Sequence, residues 1–526
     1  MKIMFIVRDL GVTEPFGPMI LSAILKQQGH ETILGVINKE DLIEKIFSWE
    51  PDMLAYSMMS VDMEDMKKFN DTLRGKRKIF TILGGPATLD RNYIDDPGID
   101  AICVGEGDEA IVDVVKSLEN SLSLEGIPNI MISKDSILAL KNRITDLDKI
   151  PFMDREIVYS FPEMARFGIK GIWTSRGCPY PCPYCFNNRI NMMYEKKGKV
   201  VRRRSVSSVI SETKKLVERY RVDFIRIQDD IFVHRVDNWL EEFAERYSSE
   251  IGIPFYCLLR CELVTEELVC CLKKAGCFSV ATSIETADDY VRNQMLRRRM
   301  SKEKMENAFR IFKKYKINVY NNVMLALPFT TLEQDIATLD FVIKVQPEMP
   351  DFTIFMPYPG TDLGDYCRNV GIYDQEEENI DYGMKNLSPL NCFSERMKMA
   401  QYNLCQLSIV AVKFPVLRNI IVNSLIYCRP NKLFFFIHYV IAVYSYGRKI
   451  FYFKHSFGEY FELVSVTIKH FLYDFLKKNK GNIMLNDLKG NDKKNERYKS
   501  SGRFGELRKC MEAMTSSNTY ALRERD

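Results

Sequence analysis

The chain lacks the features that mark a secreted protein, a membrane-spanning protein or an enzyme with a histidine-activated nucleophile. It has five histidines in 526 residues, and none pairs with a cysteine or carboxylate in a recognisable nucleophile arrangement. No signal peptide precedes the strand-like opening MKIMFIV, and the longest apolar run, residues 433–447, is too short to span a bilayer comfortably. We therefore expect a cytoplasmic protein whose clustered cysteines are metal ligands and not disulfides.

Positive charge is concentrated at the end of the chain. The net charge is +4, but residues 477–526 contain 13 Lys and Arg against 7 Asp and Glu, which makes this segment +6 and the remainder −2. Because the segment lacks apolar periodicity, it is predicted to be a disordered, basic tail. A loose contact with nucleic acid or anionic lipid is the alternative, and no specific nucleic-acid partner is indicated.

Apolar runs alternate with amphipathic helical segments in the first third of the chain. The runs lie at residues 2–7, 52–59, 78–85 and 101–107, a pattern typical of a parallel, doubly wound, Rossmann-like sheet. Ligands of such sheets bind at the carboxyl ends of the strands, where glycine lets them approach the backbone. The candidate ligand-binding residues at these ends are Ser57, Gly84, Gly85, Gly105, Glu106 and Gly107. Glycines that only permit tight turns are the alternative.

The alternation of strands and helices begins again at residue 171. Six strand-like runs, at residues 171–176, 223–230, 254–260, 279–285, 318–328 and 351–360, are separated by helical patterns. Six βα units are too few for a closed eight-fold barrel, so we expect an open, partial (βα)6 barrel of the TIM type. In barrels of this kind the chemistry is performed at the carboxyl ends of the strands.

Three cysteines occupy eight residues directly after the first of these strands. Cys178, Cys182 and Cys185 can hold three irons of a [4Fe–4S] cluster and leave the fourth iron open, as catalysis requires. A zinc site or a redox dithiol is the alternative, but no fourth ligand lies nearby. The other cysteines, such as Cys270, are interpreted as buried free thiols.

This spacing, Cys-x3-Cys-x2-Cys, resembles the signature of radical S-adenosylmethionine (SAM) enzymes. The resemblance implies that SAM chelates the open iron and is cleaved to a 5′-deoxyadenosyl radical. The segments EPFGPMILSAILKQQGHE, PDMLAYSMMS, TILGGPATL and DAICVGEGDEAI resemble the cobalamin-binding domain that precedes many such enzymes. One departure is that the loop after the first strand, RDLGVTEPFGP, has no histidine to ligate cobalt from below. The resemblance therefore implies a cobalamin without histidine ligation, or an empty domain.

Further candidate residues follow from the same resemblance. The family places SAM-binding groups at the carboxyl ends of successive barrel strands. The positions that match in this chain are Tyr184, Gln228, Asp229, Asp230, Arg260, Ser283, Glu285 and Arg298. Because adjacent strand residues point to opposite faces, only one aspartate of the pair 229/230 is expected to face SAM, and the other to cap a helix or to remain in solvent. Arg298 lies in an arginine run that could instead be a solvated surface.

Five regions are predicted: a cobalamin-binding domain at 1–140, a linker at 141–170, the barrel at 171–390, a helical domain at 391–476 and the tail at 477–526. The aromatic-rich helical domain is expected to cap the barrel mouth, to pack against the barrel or to rest on a membrane surface.

The function predicted is cobalamin-dependent radical methylation of an unactivated carbon or phosphinate in a small-molecule or lipid-like substrate. Flavodoxin or ferredoxin is the predicted electron donor. A radical rearrangement, cyclisation or ring contraction, and a non-catalytic cobalamin or SAM sensor, are the alternatives.

Overall fold

A computed structural model describes residues 1–11, 14–39, 41–373 and 386–451 of the chain. The predicted basic tail and the last part of the predicted helical domain, from residue 452, lie outside the described residues. Within them the chain forms an N-terminal sheet, a second parallel sheet and a group of C-terminal helices.

Six strands form the N-terminal sheet in the described part of the chain, in the order β2-β1-β3-β4-β5-β6, and only the β5–β6 pairing is antiparallel. The strands are β1 Lys2–Val7, β2 Glu31–Val36, β3 Met53–Ser57, β4 Phe80–Gly84, β5 Ala101–Cys103 and β6 Ile130–Met131, with helices α1 Phe16–Gln27, α2 Leu42–Trp49, α3 Met63–Arg74 and α4 Ala110–Glu119. The doubly wound prediction is confirmed, although it omitted β2. The strand order reverses between β1 and β3, which is where sheets of this type open a ligand crevice.

The second sheet contains six parallel strands among the described residues, ordered β14-β13-β12-β11-β10-β7. Its strands are β7 Ile169–Ile172, β10 Phe224–Ile227, β11 Phe255–Leu258, β12 Cys277–Glu285, β13 Asn318–Leu325 and β14 Met349–Ile354, and a separate antiparallel ribbon pairs β8 Ser175–Arg176 with β9 Arg202–Arg203. The partial six-stranded barrel is therefore confirmed. The first predicted strand, 171–176, is wrong in extent because its last residues leave the barrel to form the ribbon.

Helices cover the outside of this barrel. After the short α5 Glu156–Tyr159 and α6 Pro162–Arg166 come α7 Phe186–Met193, α8 Val206–Arg219, α9 Asn238–Glu250, α10 Glu266–Ala275, α11 Lys302–Lys314, α12 Leu332–Val345 and α13 Asp362–Asn369. The residue before α8, α9, α10, α11 and α12 is Ser, Asp or Thr, and its side chain accepts a backbone N–H of the first turn. Each cap contributes about 1 kcal/mol and fixes where a strand-to-helix loop ends.

The N-terminal domain covers one open edge of the barrel. Glu14, in the loop after β1, accepts a hydrogen bond from the backbone N–H of Gly171 in β7 and another from the Tyr159 hydroxyl. Arg155 lies 3.6 Å from the same carboxylate, and all of these groups, Gly171 included, are buried. An acidic side chain thus satisfies an unpaired strand edge and joins the two domains.

Three C-terminal helices, α14 Glu395–Lys413, α15 Arg418–Asn423 and α16 Lys432–Ser445, lie at the opposite edge. The Cys405 thiol of α14 lies 3.0 Å from the carbonyl oxygen of Phe352, so α14 covers β14. After α16 the chain enters the amino end of the barrel, where the Ile450 carbonyl accepts from Ser279 and the Phe451 ring lies 5.0 Å from that of Tyr256. The expectation that these helices cap the barrel mouth is therefore wrong for the described residues, because Ser279 and Tyr256 lie near the beginnings of their strands. Packing against the barrel is confirmed.

Candidate active site

The carboxyl ends of the two sheets face each other. Tyr194, at the end of α7, accepts the backbone N–H of Glu106 (2.9 Å) and the side-chain amide of Asn129 (2.6 Å). Glu106 lies in the loop after β5, and Asn129 lies directly before the antiparallel strand β6, so both are at the same edge of the N-terminal sheet. Gly360, in the loop after β14, packs so closely on Leu89 that an added Cβ would lie 2.7 Å from the leucine Cβ. Any ligand held at one edge therefore lies next to the other.

Two arginine–carboxylate pairs, which we call the arginine clamp, fix this arrangement. Arg176 and Arg202 are cross-strand partners in the β8–β9 ribbon. Arg176 donates twice to Asp108, at 2.8 Å for each bond, and both terminal nitrogens of Arg202 donate to Glu106. Burial would raise the pKa of Asp108, but Arg176 more than offsets it and the pKa is lowered. Paired bidentate contacts restrict orientation as well as distance, so the ribbon sets how the domains dock.

The three-cysteine loop follows β8 at the carboxyl end of the barrel. The backbone N–H of Cys185 donates to the Cys182 carbonyl (3.1 Å), and Cys185 precedes the first residue of α7. Burial raises the pKa of Cys178 to about 11 and that of Cys185 to about 12, as expected for thiols without a bound metal. In the described ranges, no three His, Cys, Asp or Glu side chains converge as they would around a single ion. A [4Fe–4S] cluster with one open iron needs one thiolate on each of three irons, and the three free cysteines of this loop supply that donor set.

Arg260, at the end of β11, contacts the cysteine loop directly. Its Nη1 lies 3.6 Å from the Cys182 sulfur, its Nη2 donates to the Arg298 carbonyl (2.8 Å), and its guanidinium lies 3.7 Å from the centre of the Tyr180 ring. Glu262 accepts its Nε. A buried cation beside a thiol stabilises the thiolate that a metal requires.

A second buried polar group lies across the barrel mouth. The Tyr184 hydroxyl donates to Glu285 (2.9 Å) and accepts from Arg298 (3.0 Å), while Arg298 also donates to the backbone carbonyl of Ser283 (2.8 Å). Arg298 is buried, so the alternative that its arginine run is a solvated surface is wrong for this residue. The Nε of Arg298 is buried without a hydrogen-bond partner in the described part of the chain, which leaves a donor for a ligand. Ser283 takes part in this network through its backbone carbonyl.

Asp229 and Asp230, which follow β10, have their hydrogen-bond partners in different elements. Phe224 and Arg226 contact Phe451 inside the barrel, so Gln228 and Asp230, at the same alternation, continue the inward face. Asp230 accepts Asn187 (2.8 Å) beside the cysteine loop. Asp229 accepts the Thr174 backbone N–H (2.7 Å), the Thr174 hydroxyl and the Ser175 hydroxyl (2.9 Å). The expectation that the second aspartate caps a helix or remains in solvent is therefore wrong, because Asp229 is 2% exposed and holds the end of β7.

Gln228 supplies a further unpaired group. Its amide nitrogen is buried and has no hydrogen-bond partner among the described residues. It lies beside Gly171 of β7, where an added Cβ would meet it at 2.7 Å. Gln228 and Arg298 thus each offer an unpaired donor, and SAM, with its carboxylate and ribose oxygens, provides acceptors for such groups.

The predicted cobalamin positions have different structural roles. Glu106 is engaged in the arginine clamp, and Gly105, at a φ of +90°, lies directly against Tyr194. Gly85 has a φ of +91°, and a Cβ added to it would lie 2.6 Å from the Met58 carbonyl oxygen. The turn itself therefore requires glycine at this position. Gly84 and its β3 neighbour Ser57 are different, since a Cβ on Gly84 would meet nothing closer than 3.5 Å.

The β1–β3 crevice is consistent with a corrinoid. A Cβ on Gly17 would meet only the Ser57 hydroxyl, at 3.8 Å, and one on Gly107 would meet Cys103 and Leu21 at no less than 3.5 Å. These glycines leave a backbone-lined space at the edge that faces the barrel. The three histidines among the described residues have other contacts: His30 lies beside the N-terminal amine, His234 stacks on Tyr180 and His438 hydrogen-bonds the Gln406 carbonyl.

Sequence reasoning missed Tyr180 and His234. The centre of the His234 ring lies 6.1 Å from that of Tyr180, and the two rings stack. Tyr180 is also the ring that the Arg260 guanidinium contacts. Burial and the nearby arginines lower the pKa of His234 to about 4, so the ring is neutral. The only sequence signal was the position of His234 four residues after Asp230, in the loop that follows a strand end.

Comparisons with known proteins agree with this geometry. Residues 173–342 match the radical SAM superfamily and residues 5–115 match the B12 binding domain. An uncharacterized methyltransferase of Pyrococcus horikoshii is 24% identical over 379 residues, covering 68% of this chain and 80% of that protein. The cytidylyl-2-hydroxyethylphosphonate methyltransferase of Streptomyces wedmorensis is 23% identical over 433 residues, 69% and 80% of the two chains. The solved structure of the radical SAM methyltransferase TsrM of Kitasatospora setae superposes on this chain with a TM-score of 0.59 and 16% sequence identity. The superposition covers 75% of this chain and 81% of TsrM.

The chain is therefore a radical SAM enzyme with a B12-binding domain ahead of its barrel. It belongs with the cobalamin-dependent members of that superfamily, whose cofactors are a [4Fe–4S] cluster, SAM and cobalamin.

Proposed function

We propose that this enzyme transfers a methyl group to an unactivated carbon, or to a phosphinate, of a small-molecule or lipid-like substrate. The observation that carries the proposal is the docking of the two carboxyl edges by the arginine clamp of Arg176, Arg202, Asp108 and Glu106. A methyl donor and a radical-generating centre must both reach one substrate atom, and this docking brings their two sites together. When bound, the cluster, SAM and cobalamin supply the electron, the radical and the methyl group.

The chain's own residues have separable tasks in this proposal. Cys178, Cys182 and Cys185 hold the cluster, and Arg260 donates a hydrogen bond to the Cys182 sulfur. Asp230 accepts the SAM ammonium from the inward face of β10, and the amide nitrogen of Gln228 donates to a second polar group of SAM.

Arg298 binds the SAM carboxylate in this scheme. Tyr184 and Glu285 orient the arginine, because they occupy its Nη1 and leave its Nε available. Since Arg298 and Glu285 are both buried, removing either one would leave the other as an uncompensated charge. Their mutual pairing therefore maintains a charged site inside a barrel from which water is largely excluded.

In the cobalamin-binding domain, Ser57, Gly84 and Gly107 line the corrinoid site, while Gly85 and Gly105 shape the turns around it. Glu106 contributes through docking and does not contact the corrinoid. A small one-electron donor such as flavodoxin or ferredoxin is the proposed redox partner, and a reducing, cytoplasmic setting is part of the same proposal because the cluster ligands must remain thiolates.

Product analysis tests the proposal. The anaerobically reconstituted protein is incubated with a reductant, SAM bearing a deuterated methyl group and an extract of small molecules and lipids. Methyl transfer predicts deoxyadenosine together with S-adenosylhomocysteine, and the deuterated methyl group in a product of the extract. Formation of deoxyadenosine alone would indicate another radical reaction in place of methylation. Formation of neither deoxyadenosine nor S-adenosylhomocysteine would favour the sensor. Cys182→Ala serves as the inactive control and Cys270→Ala as the active one. Cys270 lies outside the site and is exposed, so its interpretation as a buried thiol is wrong.

A further inference from the structure

The outer face of α16 is apolar and exposed. Leu433, Phe436, Val440 and Tyr444 are 61%, 48%, 50% and 61% exposed, and their spacing of three and four residues places them in one stripe along the helix. We call these four residues the α16 stripe. The opposite stripe of the helix, which includes Phe434 and His438, is buried against α14. A helix that is apolar on both faces is ordinarily covered on both.

Exposed apolar residues are also concentrated in the sequence just before the stripe. The structure describes sixteen large hydrophobic residues that are exposed, and nine of them lie between residues 414 and 444. Four of these nine form the α16 stripe. The other five lie in α15 and the turns on either side of it: Phe414, Val416, Leu417, Ile420 and Tyr427. A concentration of exposed apolar residues of this kind marks a region that contacts a protein or a membrane.

The charge of the same region is of one sign. From residue 396 to residue 451 the chain contains no Asp or Glu, whereas it contains eight basic residues, Arg396, Lys398, Lys413, Arg418, Arg429, Lys432, Arg448 and Lys449. Arg418 pairs with Asp340 of α12, but Arg429 and Lys432 are exposed at the beginning of α16 and Arg448 and Lys449 just after its end. Basic side chains therefore flank both ends of the apolar stripe.

We propose that this surface binds the face of an anionic lipid bilayer, with the α16 stripe inserted at the headgroup level and the flanking basic residues on the lipid phosphates. This combination of an apolar face and a basic border is what interfacial helices use. The helix has 14 residues, and no helix in the described ranges is long and apolar enough to cross a membrane, so α16 would lie in the interface. A second copy of the chain is a poorer occupant, because two surfaces without carboxylates would repel each other. The proposal does not depend on which reaction the barrel performs.

Vesicle binding by the full chain tests it. Cosedimentation is measured with vesicles of phosphatidylcholine alone and of phosphatidylcholine with phosphatidylglycerol. We expect binding to the anionic vesicles that weakens as salt is raised. The stripe variant Leu433→Ser/Phe436→Ser/Val440→Ser should lose binding, whereas the matched control Leu122→Ser/Ile137→Ser, at exposed apolar positions in the N-terminal domain, should keep it.

A charge variant makes the expectation quantitative. Each basic residue at a lipid surface is worth about a fivefold change in affinity, so Arg429→Gln/Arg448→Gln/Lys449→Gln should weaken binding about a hundredfold. The control is Arg74→Gln/Lys76→Gln/Lys199→Gln, three exposed basic residues elsewhere. Iron content and melting temperature should be the same in all variants, because every substituted side chain is exposed.

Four results would overturn the proposal. Absence of binding by the full chain is the first, and equal loss in stripe and control variants is the second. A lipid-free dimer in sedimentation velocity that the stripe variant abolishes would assign the surface to a second copy. Binding that appears only after removal of residues 452–526 would assign it to the chain's own C-terminal segment.

Discussion

Asp229→Asn and Asp230→Asn should affect different properties of the protein, although the two residues are adjacent. Asp230 lies on the inward face of β10 and accepts Asn187 beside the cysteine loop, while Asp229 points outward and binds Thr174 and Ser175. Asn keeps the size of the side chain, removes its negative charge and replaces one acceptor oxygen by an NH2 group. If Asp230 accepts the SAM ammonium, its variant loses a charge-assisted contact, and the Asp229 variant does not.

The expected magnitudes follow from the contacts. A hydrogen bond to a charged group is worth roughly 1.5–3 kcal/mol, so Asp230→Asn should weaken SAM binding about tenfold to a hundredfold. Asp229 accepts three hydrogen bonds in a buried position, and replacing one acceptor oxygen by an amide NH2 group should cost about 1–3 kcal/mol of unfolding free energy. SAM affinity of that variant should change less than threefold, as a rough bound from its lack of inward contacts.

SAM titrations of the anaerobically reconstituted proteins, followed by calorimetry or by the change in the cluster's electron paramagnetic resonance spectrum, measure the first effect. Urea unfolding of the same samples measures the second. Iron content must match the wild type in both variants for the comparison to hold. Equal losses of SAM affinity in the two variants, or a loss only in Asp229→Asn, would refute the assignment of Asp230 to the inward face of the SAM site.

Three further predictions concern the cluster, the corrinoid and a buried acid. Cys182→Ala should abolish the iron chromophore and SAM cleavage while Cys270→Ala preserves both; a stable cluster in the Cys182 variant would contradict the ligand set. Gly84→Phe should prevent retention of added hydroxocobalamin on desalting and leave the iron content unchanged, because its Cβ meets only ordinary contacts; retained corrinoid would remove Gly84 from the site. Burial raises the pKa of Asp335 from 3.8 to about 7, so the folded chain takes up a proton and unfolding free energy should fall as pH rises from 4 to 7. In Asp335→Asn the urea midpoint should fall less between pH 4 and pH 7 than in the wild type. The same pH dependence in both proteins would contradict the raised pKa.

Local pattern explains why much of the fold was predictable. Strands such as β1 and β3 are buried almost throughout and read as continuous apolar runs, which the sequence shows without any long-range information. β2 was missed because ETILGV combines an exposed glutamate and a glycine with its apolar residues and follows closely on α1. The destination of residues 446–451 in the amino end of the barrel was not predictable, because it depends on contacts with strands about 170 residues away in sequence.

The sequence by itself determined the cofactor chemistry and the order of the domains. Cys178, Cys182 and Cys185 lie within eight residues, so their proximity is a property of the local chain and needs no fold to be recognised. Only the tertiary structure decided the roles of residues that act across the fold. Glu106 pairs with Arg202 where the two domains dock, and Arg298 is buried beside Tyr184 and Glu285. Asp230 accepts a hydrogen bond from Asn187 beside the cysteine loop. The physical reason is that a charged side chain takes its role from the partner that it meets, and these partners come from elements distant in sequence.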